Sequence, residues 1–156
     1  MKLTYTEYKN ARQEGFNALP IFWAFSNRQF EEAMQERGLT MNDTDKVFSI
    51  GAGGFALKRD KDAILAFLNK EDPLPELMKD PAFAEDAFYD EMCNHEFGIN
   101  WQGSWDVCSC FGDCEYSNDK GGAEYLAEMG YGQETVDAYY QAKRRYFKAA
   151  EENEWF

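Results

Sequence analysis

The sequence predicts an α+β domain in which a small antiparallel sheet of two or three strands packs with about five helices. Three observations predict it. Short apolar and aromatic runs at Ile21–Phe25 and Val47–Ile50 sit beside turn residues, as strands do. Gly51-Ala52-Gly53-Gly54 separates the second run from Phe55-Ala56-Leu57, the pattern of a glycine-bent hairpin. Elsewhere apolar residues recur at helical spacing. A length of 156 residues suggests one domain over 1–156, long enough to bury a core without staples.

Tyr5, Tyr8, Ala11, Arg12 and Phe16 place a first helix over 4–17, with Thr4 or Thr6 able to cap it. Pro20 ends it. Ser26 and Gln29 have capping-box spacing at the head of a helix over 27–37, which Gly38 stops. Asn42-Asp43-Thr44-Asp45 reads as a turn. Asp60 is placed to cap a helix through Asn69. Glu71-Asp72-Pro73-Leu74-Pro75 is linker-like but short. Asp80-Pro81 is an N-cap with proline at the first helical position, predicting a helix to about Phe97 that ends at Gly98. Residues 100–118 read as a long loop holding Trp101, Trp105 and three cysteines. Asn118 is placed to cap a helix over 121–129, and a last helix runs from Gln133 or Glu134 to about Asn153.

Charge is the strongest global signal. The chain carries 16 Lys+Arg against 29 Asp+Glu, a formal net charge of −13 and a pI near 4.4. Residues 71–119 hold thirteen acids and one base, Lys79, a net −12. A chain this acidic repels phosphate, which excludes direct nucleic-acid binding of the usual basic kind. No apolar run is long enough to span a membrane. The first residues lack a signal-peptide core, so a cytoplasmic location is expected. The clustered carboxylates are read in two ways: as a solubilising surface, or as an acidic face for a basic partner. The residues proposed for that face are Glu85, Asp86, Asp90, Glu91, Glu96, Asp106, Asp113 and Glu115, with Trp101 and Trp105 as aromatic anchors.

Other motifs have a bland and a chemical reading. Gly51-Ala52-Gly53-Gly54 lacks the helix a phosphate loop opens into, and reads as a positive-φ turn. Cys108, Cys110 and Cys114, with Cys93 or His95, offer enough zinc ligands but lack paired CxxC spacing. Glu91 and His95 share a helix face, so the carboxylate could orient the imidazole, with Cys93, Cys108 or Cys110 as conceivable nucleophiles. No catalytic residue, metal site or cofactor is assigned from these patterns.

Three segments carry a resemblance: Phe22-Trp23-Ala24-Phe25-Ser26-Asn27-Arg28-Gln29-Phe30-Glu31-Glu32, Gly51-Ala52-Gly53-Gly54-Phe55 and Glu91-Met92-Cys93-Asn94-His95-Glu96. Gly130-Tyr131 with Glu134-Thr135-Val136 is also similar. The chain resembles a family of small acidic proteins met in phages and other bacterial mobile elements. The shared pattern is an aromatic strand entering Ser-Asn-x-Gln-Phe, a glycine bend and the Asn94-His95-Glu96 triplet. No activity carries over, and the four cysteines are not part of that pattern. By analogy of class, the resemblance implies a non-enzymatic binding protein. Its partner would be a basic protein surface such as a CRISPR effector or restriction enzyme, engaged by a DNA-mimicking carboxylate face. The alternatives are a small metal-binding or cysteine/histidine enzyme centred on His95 and Cys108–Cys114, and a structural accessory protein.

Overall fold

Helix starts are set by local hydrogen bonds, and several fall where the sequence places them. The computed structural model describes residues 2–156. In α1 (Tyr5–Asn17), Thr4 and Glu7 exchange bonds: the Glu7 amide donates to Thr4 Oγ1 at 3.2 Å and the Thr4 amide to Glu7 Oε2 at 2.8 Å. This satisfies two orphan amides of the first turn. The chain then divides into two compact units, one of Asn10–Glu71 and one of the chain up to Lys9 with Asp72–Phe156.

The first unit holds the sheet. Strands β1 (Ile21–Trp23), β2 (Val47–Gly51) and β3 (Gly54–Leu57) form an antiparallel sheet in the order β1-β3-β2. Phe22 pairs with Phe55 across β1 and β3. Phe30 of α2 (Asn27–Glu36) packs on this pair, its ring 5.0 Å from Phe55, and the Arg37 guanidinium covers Phe22 at 4.2 Å. Ser26 caps α2, accepting from the Gln29 amide at 3.2 Å. The β2–β3 turn puts Ala52 at φ 52° and Gly53 at φ 82°. Positive φ at both central residues matches the right-handed twist of the strands, so the glycine segment is a hairpin turn. A short 3-10 turn at Lys58–Asp60 leads into α3 (Lys61–Leu68), and Asp60 makes no side-chain cap bond. Asp60 is itself in helical conformation, so its carboxylate cannot reach forward to the amides it was expected to cap.

The second unit is helical: α4 (Leu74–Leu77), α5 (Pro81–Asn94), α6 (Gly103–Ser109), α7 (Gly122–Glu128) and α8 (Gln133–Glu152). Asp80 caps α5 as expected, accepting from the Ala82 amide at 2.9 Å. The longest packed seam joins α5 and α8. Phe88, Met92, Tyr139, Ala142 and Tyr146 line it, and Val107, Cys108, Phe111, Tyr125 and Leu126 close it from α6, the segment that follows it and α7. Among the described residues, no helix is long and apolar enough to cross a membrane.

Three expectations change in this unit. Helix α5 ends at Asn94, because Glu96 adopts φ +49° and the Phe97 amide turns back to Met92 O at 3.1 Å. This is the geometry glycine normally supplies after a helix, here taken by a glutamate, so Gly98 is not the stop. Residues 100–118 are not all loop: they contain α6, whose Gly-Ser start and missing side-chain cap hide it from a propensity reading. Helix α7 is capped from Gly121, whose amide donates to Glu124 Oε2 at 3.0 Å. Asn118, expected there, instead accepts from the Tyr116 hydroxyl.

Two predictions arise from this core. A Cβ at Gly122 would lie 2.3 Å from the Tyr139 ring. Gly122→Ala is therefore expected to lower stability by about 1–3 kcal/mol in urea unfolding, the usual effect of overpacking. Tyr139 is 1% exposed and donates to Ser104 Oγ at 3.0 Å. Burial pushes its phenol well above the ordinary 10.0. The stabilisation of the neutral phenol is complete below the unfolded pKa and is lost as pH rises past about 10. Tyr139→Phe is expected to flatten that alkaline fall in a urea series, while costing about 0.5–1.5 kcal/mol at neutral pH.

Candidate functional site

The last turn of α5 and the end of α6 bring three chemically different side chains together. Glu91 and His95 lie four residues apart across the helix end, so they project from one face. His95 is the C-cap residue of α5, and Cys110 is the C-cap residue of α6. His95 Nε2 stands 3.4 Å from Glu91 Oε2 and 3.5 Å from Cys110 Sγ. Cys110 Sγ stands 3.6 Å from the same Glu91 oxygen. Glu91 is buried, whereas His95 and Cys110 are partly exposed.

A surrounding layer fixes the carboxylate. The Tyr5 hydroxyl donates to Glu91 Oε1 at 2.8 Å, and Lys9 Nζ lies 3.8 Å from the same oxygen. Lys9 also pairs with Asp90 and sits over the Tyr5 ring at 4.7 Å. Asn94 Nδ2 donates to Glu91 Oε2 at 3.4 Å. Asn100 Nδ2 donates to His95 O at 3.1 Å and to Asp106 Oδ2 at 2.6 Å. Glu91 Oε1 is thus held from outside, and Oε2 is turned toward the imidazole and the thiol.

This arrangement disfavours a nucleophile–base–orienter relay. Such a relay puts the carboxylate on one ring nitrogen and the nucleophile on the other. Here both approach Nε2. Burial first, and then the Glu91 carboxylate, push the Cys110 thiol up to about 12. An activated cysteine has the opposite shift.

The same triangle suits a cation. A tetrahedral zinc ion with Zn–N and Zn–O near 2.0 Å and Zn–S near 2.3 Å separates its ligand atoms by about 3.3–3.6 Å. The three observed separations are 3.4, 3.5 and 3.6 Å. One thiol proton can serve a single acceptor, whereas a cation at the centre is shared by all three groups. The carboxyl end of α5 adds the negative pole of its helix dipole.

The sequence reading placed Glu91 on an acidic surface, and the structure turns it inward at 7% exposure. Asp90 faces Lys9, and Asp106 lies at the site's edge with its backbone oxygen 3.3 Å from Cys110 Sγ. Asp86 lies 3.6 Å from Arg145 of α8. Glu85 is half-exposed, while Glu96, Asp113 and Glu115 are exposed. Trp101 is 78% exposed, but Trp105 folds inward and donates to Cys114 O at 2.9 Å. Of the cysteines, only Cys110 joins the site. Cys108 is buried against Gly122 O, Cys114 is half-buried beyond α6, and Cys93 is exposed.

Family comparison bears on this site. A profile described as a family of unknown function (DUF7659) matches residues 4–106. The chain belongs to that family. No curated protein and no solved structure matches the chain. The DUF7659 match spans Tyr5, Lys9, Glu91, Asn94 and His95, and ends before Cys110. It also spans the Phe22–Glu32, Gly51–Phe55 and Glu91–Glu96 segments.

Tyr5, Lys9, Asn94 and Asn100 are site residues that sequence reasoning missed. Asn94 could have been found from its position three residues after Glu91. Tyr5 and Lys9 come from the other end of the chain and leave no local signal.

Proposed function

We propose that this protein binds a divalent transition metal of the zinc class through Glu91, His95 and Cys110. One observation carries the reading: a carboxylate oxygen, an imidazole nitrogen and a thiol sulfur meet in a triangle with edges of 3.4–3.6 Å. Thiolate and imidazole donors suit zinc, cobalt or ferrous iron and do not suit calcium or magnesium.

Protein purified without a histidine tag should bind about one zinc per chain by calorimetry. Cys110→Ser and His95→Gln should each remove that binding, while Cys93→Ser and Cys114→Ser should leave it intact. Binding that survives Cys110→Ser and His95→Gln would refute the assignment. Tyr5→Phe is expected to weaken zinc affinity about 10–100-fold in the same titration, because the carboxylate loses the hydroxyl that aims it.

A second reading rests on charge. The helical unit holds twenty acids against eight bases, whereas Asn10–Glu71 holds nine against eight. We propose on that ground that the helical unit also meets a basic protein, such as a CRISPR effector or restriction enzyme confronted by a phage or mobile element. Charge reversal at Asp86, Asp113 and Glu115 would then abolish a salt-sensitive association. Association that survives reversal at low salt would rule this out.

A further inference from the structure

We infer that the Glu91–His95–Cys110 centre is open: it supplies three protein ligands and leaves the fourth metal position to an exogenous oxygen or nitrogen donor, water at rest and a small anion when one is offered. The inference rests on the metal reading above and adds what that centre would do.

The donor inventory is the first ground. Among the described residues, no further His, Cys, Asp or Glu joins the three. The nearest carboxylates are engaged: Asp90 by Lys9, and Asp106 by Asn100 at 2.6 Å. Cys108 is turned to Gly122 O at 3.9 Å. The Asp106 backbone oxygen, 3.3 Å from Cys110 Sγ, is a neutral amide oxygen and a poor competitor for zinc.

Exposure is the second ground. The Glu91 side chain is 9% exposed and the His95 side chain 35%. The centre is therefore closed behind the carboxylate and reachable beside the imidazole. Structural zinc sites are usually closed by four protein ligands, while sites that activate water keep one position for solvent.

Denticity is the third ground. Glu91 Oε1 is held by the Tyr5 hydroxyl and faced by Lys9. Only Oε2 is presented to the centre, so the carboxylate binds through one oxygen and does not occupy the fourth position. One thiolate and one carboxylate neutralise a divalent ion, leaving a neutral centre that tolerates one anion. A bound water there would have a lowered pKa, and a carbonyl or phosphoryl oxygen there would be polarised.

Cobalt(II) substitution under anaerobic conditions tests the inference with azide as the probe. Loading should give a thiolate-to-cobalt band in the near ultraviolet and intense visible bands of a four-coordinate ion. Azide should shift the visible bands saturably and leave the thiolate band in place. Visible bands that ignore azide, or cobalt stripped from the protein by it, would overturn the open position while leaving the metal reading standing. Absence of any thiolate band in the wild type would instead overturn the metal reading. Cys110→Ser should lose the band. Circular dichroism shows whether that variant folds, and His95→Gln, which should lose the metal and with it the thiolate band, provides a second readout.

Discussion

Phe88→Ala is expected to destabilise the helical unit by about 3–5 kcal/mol, measured by urea unfolding. Phe88 has no exposed surface. Its ring meets Phe111 edge-on at 4.9 Å and Tyr139 edge-on at 5.4 Å. It thus ties α5 at once to the segment after α6 and to α8. Truncation removes the ring's burial and leaves a cavity walled by aromatic residues that cannot collapse into it. Phe88→Leu refills most of that volume and should recover most of the loss. Because Glu91 and His95 ride on the same helix, and Cys110 precedes Phe111, zinc affinity should fall in Phe88→Ala although Phe88 touches no ligand. A loss below about 1 kcal/mol would mean that the seam repacks freely.

The parts of this protein that were legible in the sequence are those set by neighbours in the chain. Ser26 and Asp80-Pro81 announce their helices because a cap and its amides lie within three residues. The hairpin at Ala52-Gly53 is legible because its turn geometry belongs to the turn itself. The pairing of Glu91 with His95 is legible for the same reason, since they lie one helical turn apart. Cys110 could not be chosen among four cysteines, since its approach depends on how α6 docks on α5. Tyr5 and Lys9 are fixed by contacts to residues 86 and 81 positions away. The net charge of residues 71–119 was legible, but its direction was not. A carboxylate counted toward an acidic face can turn inward when a hydroxyl, an amide and a lysine are there to receive it, as Glu91 does. The end of α5 was missed because Glu96 takes the left-handed conformation, which residue statistics assign to glycine.

Glu91→Gln is expected to separate function from stability. In the absence of metal its effect should stay within about 1 kcal/mol, in either direction. The volume is conserved, glutamine still accepts from Tyr5, and Lys9 keeps Asp90 as its partner. The amide removes a charge that is costly to bury, which offsets what is lost with Lys9 and His95. With zinc the comparison reverses. An ion at 100 times its dissociation constant stabilises the native state by about 2.7 kcal/mol. For a chain of 156 residues that corresponds to a rise in melting temperature of roughly 5–10 °C. The wild type should show this rise, and Glu91→Gln should not, because a neutral amide oxygen is a weak zinc ligand. Thermal melts with zinc and with EDTA read both terms in one experiment. If Glu91 served only the core, the variant would instead lose several kcal/mol in EDTA and the wild type would be indifferent to zinc. The distinction lies in which state of the protein is affected, and this separates Glu91 from Phe88, three residues earlier on the same helix, where the loss is in the fold itself.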